Sequence, residues 1–402
     1  MAMSASTSST TAAPVPLYHL SSQYRSWRYS EEELARIRTE LNEKAVARVR
    51  NLWEEEQSSR KDESAPKKAA EQPTLTDEPV PAAATTATNP SPPAPSEIQY
   101  LTVQDEQALV TYYLTQVAAM CGAFKYPEIV TATAMTYLKR FYLRNTCMDY
   151  HPKNIMLTCV YLATKTENCS TSIDQFAGRI PNASPADILS LEFLVSQSLH
   201  FEYKVHHAHV ALNGLTLDMQ SAGLDAAAIT TALPRAQSYC RFSRLTSAEL
   251  VYSPSQIALA CFRLADPTLV DQWLDAKEQR RQKTGKGRAA TIPSGGAVDG
   301  EGRLPGQPER AQQLGGELEQ AEMGPVLDKV QATIVHGQKH PVDKARVKEV
   351  DLRLRWARNP EKDPNSALFK KRKAAEEAER GEKEKAKAAK RPAATDDSSV
   401  FD

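Results

Sequence analysis

The sequence predicts an all-α protein with two consecutive helical repeats, and three observations support this fold class. Apolar residues recur every three or four positions through the middle of the chain, as on the buried face of a helix. No stretch shows the strict alternation of apolar and polar residues that is typical of a strand. A motif of six matching residues occurs twice, and such self-similarity indicates a repeated structural unit.

The repeated motif is P-x-x-I-x-L-x-C-x-x-L-A, which begins at Pro152 and again at Pro254, 102 residues later. Both copies lie in the most apolar helix of their region, and a helix without a polar face belongs in the middle of a bundle. Proline costs little at a first helical turn, where its missing N–H would have no partner. The motif therefore predicts two related helical domains of about a hundred residues each.

The N-terminal flank, residues 1–56, contains a predicted helix. Ser30 and Glu33 have the spacing of a capping box, and an apolar stripe with many charges opposite it follows them. Residues 57–96 are predicted to be a disordered linker, because eight prolines stand there among Ala, Ser, Thr and Lys.

Three further segments follow in the second half of the chain. A Gly- and Arg-rich insertion at about 282–316 has little to bury and is also predicted to be disordered. A C-terminal helix is predicted over 338–358, with a charged tail over 359–402. The stripes of the two flanking helices are narrow. We expect these helices to pack on the repeats, and the alternative is that they form part of a partner surface.

Composition argues against several classes of protein. The chain has 50 Lys and Arg against 50 Asp and Glu, whereas a general nucleic-acid binder carries a basic excess. No apolar run approaches the ~20 residues of a membrane-spanning helix. The N-terminus lacks the features of a signal peptide, so we expect an intracellular protein. Six widely spaced cysteines without a CxxC predict reduced thiols rather than a zinc ribbon or disulfides.

Catalytic motifs are missing from the sequence. There is no GxGxxG, no GxxxxGK[ST], no HRD or DFG, no HExxH and no GxSxG, so we expect no catalytic residues and no cofactor. His206, His207 and His209 lie close together, but no carboxylate or cysteine joins them at ligand spacing. We expect them to open the first helix of the second repeat, largely solvated, rather than to bind a metal.

One charged pair distinguishes the repeats. Lys165 and Glu167 close the motif helix of the first repeat, where the second repeat has Pro267 and Leu269. Glu192 lies on an otherwise apolar helix stripe, where a buried carboxylate needs a cation or several donors. Lys165 is the natural partner, because helices three and five of a small bundle can touch. Two alternatives are that the lysine only suits a helix C-terminus and that Glu192 lies at the edge of its stripe.

At this point the residues resemble the cyclin family, and within it the cyclin H subfamily. The similar segments are Phe141–Asn168 (FYLRNTCMDYHPKNIMLTCVYLATKTEN), Leu245–Ala260 (LTSAELVYSPSQIALA) and Tyr18–Arg38 (YHLSSQYRSWRYSEEELARIR). The resemblance implies two five-helix cyclin boxes, over residues 97–200 and 204–337, with N- and C-terminal helices packed against them. The chain departs from the family pattern in three ways. Its proline-rich linker is longer, it has the insertion at about 282–316, and its first helix lacks the hydrophobic docking motif of cell-cycle cyclins.

The resemblance implies a non-catalytic subunit that binds and activates a cyclin-dependent kinase. In the family, the CDK-activating kinase phosphorylates activation segments of other such kinases. As part of general transcription factor H it also phosphorylates the C-terminal repeats of RNA polymerase II. The implied partners are the kinase catalytic subunit, the RING-finger assembly factor MAT and general transcription factor H, with no direct contact to nucleic acid or membrane. The implied location is the nucleus. The family's kinase-contacting lysine and glutamate carry over onto Lys165 and Glu192, and we assign Glu167 to the same contact.

Rival interpretations remain open at this level. A two-repeat helical fold also binds DNA in transcription factor B and peptides in the retinoblastoma pocket, and cyclin C and the elongation cyclins are the nearest alternatives within cyclins. In the tail, Lys370, Lys371, Arg372 and Lys373 form a candidate nuclear-import signal, and the alternative is a solvated end of the C-terminal helix.

Overall fold

The computed structural model describes residues 17–64, 97–283 and 320–389, and these residues form helices joined by turns and loops, without a strand. They belong to two compact units. Unit one comprises residues 17–37, 110–144, 152–283 and 320–344, and unit two comprises residues 38–64, 97–109, 145–151 and 345–389. A short helix and a long one open the chain: α1 (Ser22–Ser26) and α2 (Glu31–Ser64).

The first repeat has five helices, as expected of a cyclin box. They are α3 (Val103–Ala123), α4 (Glu128–Phe141), α5 (Pro152–Thr166), α6 (Ile173–Ala177) and α7 (Pro185–Ser198). The motif helix α5 packs against both α4 and α7. Ile155, Cys159 and Val160 have no exposed surface, so α5 is the central helix of the bundle as predicted.

The second repeat has the same plan around its own motif helix. Its helices are α8 (Ala208–Ser221), α9 (Ala226–Ser243), the short α10 (Ala248–Val251), α11 (Pro254–Ala265), α12 (Pro267–Lys283) and α13 (Gln320–Lys339). The motif helix α11 begins with a capping box between Ser253 and Gln256 and packs against α8, α9, α12 and α13. The 102-residue offset in sequence therefore corresponds to two central helices that both begin at a proline.

The N-terminal segment packs on the repeats within unit one. Trp27 is almost fully buried and donates from Nε1 to the Glu202 carboxylate over 2.6 Å. The Tyr29 backbone N–H donates to the carbonyl of Leu250 over 2.8 Å. The predicted capping box is present, since the Glu33 N–H donates to Ser30 Oγ over 3.1 Å. The N-terminal flank therefore has the predicted capping box and packs on the repeats, as expected.

Unit two is formed by the remainder of α2, the start of α3, and two C-terminal helices, α14 (Lys344–Ala357) and α15 (Ala367–Ala389). Trp53 Nε1 donates to the carbonyl of Arg358 over 3.1 Å, which joins the N- and C-terminal flanks. Glu56, fully buried on α2, accepts hydrogen bonds from the Ala367 and Leu368 N–H groups and so caps the start of α15.

Helix bounds differ from the predictions at four places. Helix α2 continues through residues 57–64, and α12 includes residues 282–283, so neither linker begins where predicted. The rest of the two predicted linkers lies outside the described residues. The C-terminal helix begins at Lys344, after Pro341, because proline disfavours a preceding helical residue. Helix α15 occupies much of the predicted tail, where Ala, Glu, Lys and Arg all have high helix propensity.

Candidate functional site

Lys165 and Glu192 form an ion pair between α5 and α7, through Nζ and Oε1. Lys165 lies in the last turn of α5, where the negative end of the helix dipole stabilises a cation. Glu192 lies in the middle of α7. The two side chains are 36% and 24% exposed, so the expectation of a buried carboxylate is wrong in degree. Glu192 lies at the edge of its stripe and still reaches the lysine. The Lys165 ammonium is 4.7 Å from the centre of the Tyr161 ring.

Exposed apolar side chains lie on the same helix as Glu192 and just after its end. Leu189 and Phe193 lie on α7 four residues apart, hence on one helix face, and are 43% and 68% exposed. Phe201, 54% exposed, follows the end of α7, and its ring centre is 6.1 Å from that of Phe193. Large exposed apolar groups next to an ion pair are typical of a protein-binding surface. These three residues were not among the predicted site residues, although the spacing of Leu189 and Phe193 around Glu192 was a signal for two of them.

Glu167 follows the last residue of α5 but has a different partner from Lys165. Its Oε1 accepts a hydrogen bond from Thr133 Oγ1 on α4 over 2.7 Å. The same threonine oxygen lies 2.8 Å from His207 Nε2. The structure therefore brings Lys165 and Glu192 together, and it connects Glu167 to the start of the second repeat.

The three histidines do precede or open α8, but the expectation that they are largely solvated is wrong for His207. That side chain is 4% exposed, and burial lowers its pKa to about 3, so the imidazole is neutral. His206 is exposed and His209 is half-buried. Across residues 17–64, 97–283 and 320–389, no group of three or more His, Cys, Asp or Glu side chains is arranged to hold a metal ion.

The four basic residues of the tail lie in the first turns of α15. Arg372 forms ion pairs with Glu361 and with Glu55, the latter over 3.5 Å. Lys370, Lys371 and Lys373 are exposed. The basic cluster is therefore helical, with its arginine held by unit two. In the part of the chain that the structure describes, no helix is both long enough and apolar enough to cross a membrane.

The comparisons with known proteins agree with the two-repeat architecture. Residues 87–204 match the family "Cyclin, N-terminal domain", and residues 207–334 match the family "Cyclin C-terminal domain". Among curated proteins, the chain is 28% identical to cyclin mcs2 of Schizosaccharomyces pombe, across 89% of this chain and 90% of that protein. It is 31% identical to cyclin-H of Xenopus laevis, across 60% of this chain and 66% of that protein.

Two solved structures share the fold. One is the CAK complex from Chaetomium thermophilum bound to ATP-gamma-S, in which one chain has a TM-score of 0.62 and 23% identity, covering 90% of this chain and 94% of that one. The other is the yeast TFIIK (Kin28/Ccl1/Tfb3) complex, with a TM-score of 0.52 and 22% identity, covering 79% of this chain and all of that one. With both domain families matched in order over most of the folded chain, the protein belongs to the cyclin family.

Proposed function

We propose that this cyclin is the regulatory subunit of a cyclin-dependent kinase and binds it through the α5–α7 face, defined here as Lys165, Glu167, Leu189, Glu192 and Phe193. The observation that carries the proposal is the half-exposed Lys165–Glu192 pair bordered by exposed apolar side chains. Lysine has three donors and glutamate about four acceptor sites, so a single mutual contact leaves both able to bind kinase backbone groups.

The activation mechanism that suits this face is a population shift. An inactive kinase misplaces its αC helix, whose glutamate must pair with the lysine of strand β3. A rigid helical face that fits only the active position of that helix favours the active state by its differential binding free energy. The cyclin itself supplies no catalytic group in this mechanism.

The wider assignment follows the relatives. The similar solved chains come from complexes named CAK and TFIIK, the second containing Kin28, Ccl1 and Tfb3. We assign this chain to a CDK-activating kinase within general transcription factor H, in the nucleus, together with a RING-finger assembly factor of the MAT type. Its kinase would then phosphorylate the RNA polymerase II C-terminal repeats and the activation segments of other kinases.

Kinase affinity of full-length variants tests the face. Because the pair is partly exposed, its loss should cost folding only about 0–1 kcal/mol, so a binding defect will not reflect unfolding. Lys165→Ala or Glu192→Ala is expected to weaken kinase binding at least about tenfold, equivalent to ~1.4 kcal/mol. The double variant should lose less than the sum of the single losses.

A matched control is available in the second repeat. Arg263 of α11 pairs with Asp328 of α13 over 2.7 Å and is similarly exposed, at 29%. Arg263→Ala should leave kinase affinity unchanged. If Lys165→Ala and Glu192→Ala bind the kinase as tightly as this control, the kinase contacts another surface and the proposal fails.

Nuclear import is tested separately with a fluorescent fusion. Replacing Lys370, Lys371 and Lys373 by Ala keeps Arg372 and its ion pairs in place. If these lysines form the import signal, the variant should shift to the cytoplasm. A control with Lys383→Ala, on the same helix, should remain nuclear. An unchanged distribution of the triple variant would place the signal elsewhere.

A further inference from the structure

Glu167 carries a carboxylate where the helix disfavours one. The C-terminus of a helix is the negative end of its dipole, and Glu167 directly follows Thr166, the last residue of α5. Its Oε1 is held by Thr133, while Oε2 has no hydrogen bond within the described residues. A half-buried acidic group is thus fixed at an unfavourable position with one oxygen left to accept from a partner.

Hydrogen-bond chemistry fixes the direction of each bond to Thr133. A hydroxyl has one hydrogen, and an ionised carboxylate can only accept, so Thr133 Oγ1 donates to Glu167. Towards His207 the same oxygen must accept, and the hydrogen must be on His207 Nε2. A neutral imidazole then has a bare Nδ1, and His207 Nδ1 indeed lacks a partner in the described part of the chain.

Thr133 does not form the hydrogen bond that is usual for a threonine within a helix, which is a bond to a carbonyl of the same helix. Thr216 of α8, for example, donates to the Leu212 carbonyl over 2.9 Å, which is the usual way a helical threonine satisfies its own hydroxyl. Thr133 is fully buried and instead directs its hydrogen to Glu167, just past the end of α5. The bond that it forms is the charge-assisted one, which is shorter and stronger than a neutral bond.

We propose that His207 and Thr133 are positioning residues that hold Glu167 for contact with the kinase. His207 is the residue immediately before α8. Through it, the second repeat contributes to kinase binding without touching the kinase at this point. The proposal rests on the proposed function, because it assigns Glu167 to the kinase-binding face, and it adds a relay of two hydrogen bonds behind that face.

A double-mutant cycle on full-length protein tests the relay. Thr133→Val removes the hydroxyl at nearly constant volume and is expected to weaken kinase binding about fivefold. This is less than the full value of a hydrogen bond to a charged group, because Glu167 keeps its carboxylate and can still reach the kinase from other rotamers. In a Glu167→Ala background, Thr133→Val should weaken binding no further. Thr133→Ser retains the hydroxyl and should bind nearly as well as wild type.

Urea unfolding of the same proteins separates positioning from stability. A merely structural threonine would lower stability in both backgrounds and would not couple to Glu167 in kinase affinity. An equal loss of affinity with and without Glu167, or no loss at all, overturns the proposal.

The histidine tautomer provides an independent spectroscopic test. In protein labelled with ¹⁵N-histidine, with His207→Gln used to assign the signals, His207 should show a protonated Nε2 and a bare Nδ1. A protonated Nδ1 overturns the relay. If Lys165→Ala and Glu192→Ala leave kinase binding intact, the proposed function fails and the relay's role fails with it. If they weaken binding but Thr133→Val does not, only the relay is wrong.

Discussion

Lys139 and Glu249 form a buried ion pair that joins the two repeats within unit one. The Lys139 Nζ of α4 lies 2.5 Å from Glu249 Oε2 of α10, and both side chains are less than a tenth exposed. The same ammonium donates to the carbonyls of Arg244 and Thr246 over 3.0 and 3.4 Å. All three of its hydrogens therefore have acceptors, which is the condition under which a buried charge is tolerated.

Lys139→Met should destabilise the fold by about 3–5 kcal/mol, because it leaves the Glu249 carboxylate buried without its cation. Replacing both residues, with Glu249→Leu as the second change, should cost less than the sum of the single losses. Urea unfolding of the full chain measures both values. The half-exposed Lys165→Ala serves as the reference, and a Lys139→Met value as small as that of Lys165→Ala would contradict this prediction.

Asp105→Ala should destabilise unit two by about 2 kcal/mol, since it removes the carboxylate that both completes a capping box and pairs with two partly exposed arginines. Asp105 exchanges hydrogen bonds with Thr102 at the start of α3 and pairs with Arg353 and Arg346 of α14. Faster amide hydrogen exchange in α14 is the expected signature. Arg346→Ala is the control, because that side chain is 51% exposed and should matter little. Unchanged exchange in Asp105→Ala would show that α14 is held by other contacts.

Stability should fall as the pH drops below about 6.5, in part through His207. Burial lowers its native pKa to about 3, partly offset by Glu249 and reinforced by His209, Arg244 and Arg140. Between those two pH values the unfolded chain binds a proton that the native protein does not, so unfolding is favoured by up to about 1.4 kcal/mol per pH unit.

The check is the free energy of unfolding at pH 7, 6 and 5 for wild type and His207→Gln. The variant should show a shallower decline in this window, whatever its stability at pH 7. Parallel curves for His207→Gln and wild type would mean that this histidine does not supply the slope.

Glu106→Gln should stabilise the protein above pH 7. Burial raises the pKa of Glu106 to about 7, against the hydrogen bond from the Cys147 N–H and with added repulsion from Asp149 and Asp105. Its native pKa exceeds its unfolded value, so its stabilising contribution is present below about 4.5 and is lost as the pH rises through 7. Glutamine keeps an acceptor for Cys147 without a charge.

The expected gain is about 1–2 kcal/mol at pH 8, reduced from the full linkage value because the side chain is only half-buried, and near zero at pH 4.5. Thermal or urea unfolding at the two pH values measures it. Equal effects at both pH values would show that the carboxylate charge is not the cause.

Local pattern predicted the motif helices well. The bounds of α5 follow from Pro152 at its start and from the charged residues at its end, both readable in a short window. The Lys165–Glu192 pair was also predictable, since helices three and five of a small bundle touch. The local pattern did not predict how exposed Lys165 and Glu192 are. Their exposure depends on the rotation of α7 about its own axis, which is set by packing against other helices.

The burial and hydrogen bonding of some residues depend on distant parts of the chain, and a short sequence window could not predict them. His207 was expected to open a helix in solvent, whereas in the structure it lies buried against Thr133, 74 positions away in sequence. Helix α15 contains few apolar residues, so hydrophobic periodicity gave no signal for it. Its cap comes from Glu56, which in sequence is one more charge on a highly charged helix.

The Glu56 cap makes the C-terminal region a structural requirement of the N-terminal flank. Its two acceptor bonds reach Ala367 and Leu368, 311 and 312 positions further along the chain. A chain shortened to end before Ala367 would keep the ion pair between Glu56 and Arg60 but would lose both backbone donors to the Glu56 carboxylate. The environment of α2 is therefore complete only once the chain has been synthesised through Leu368 and this segment has packed against Glu56.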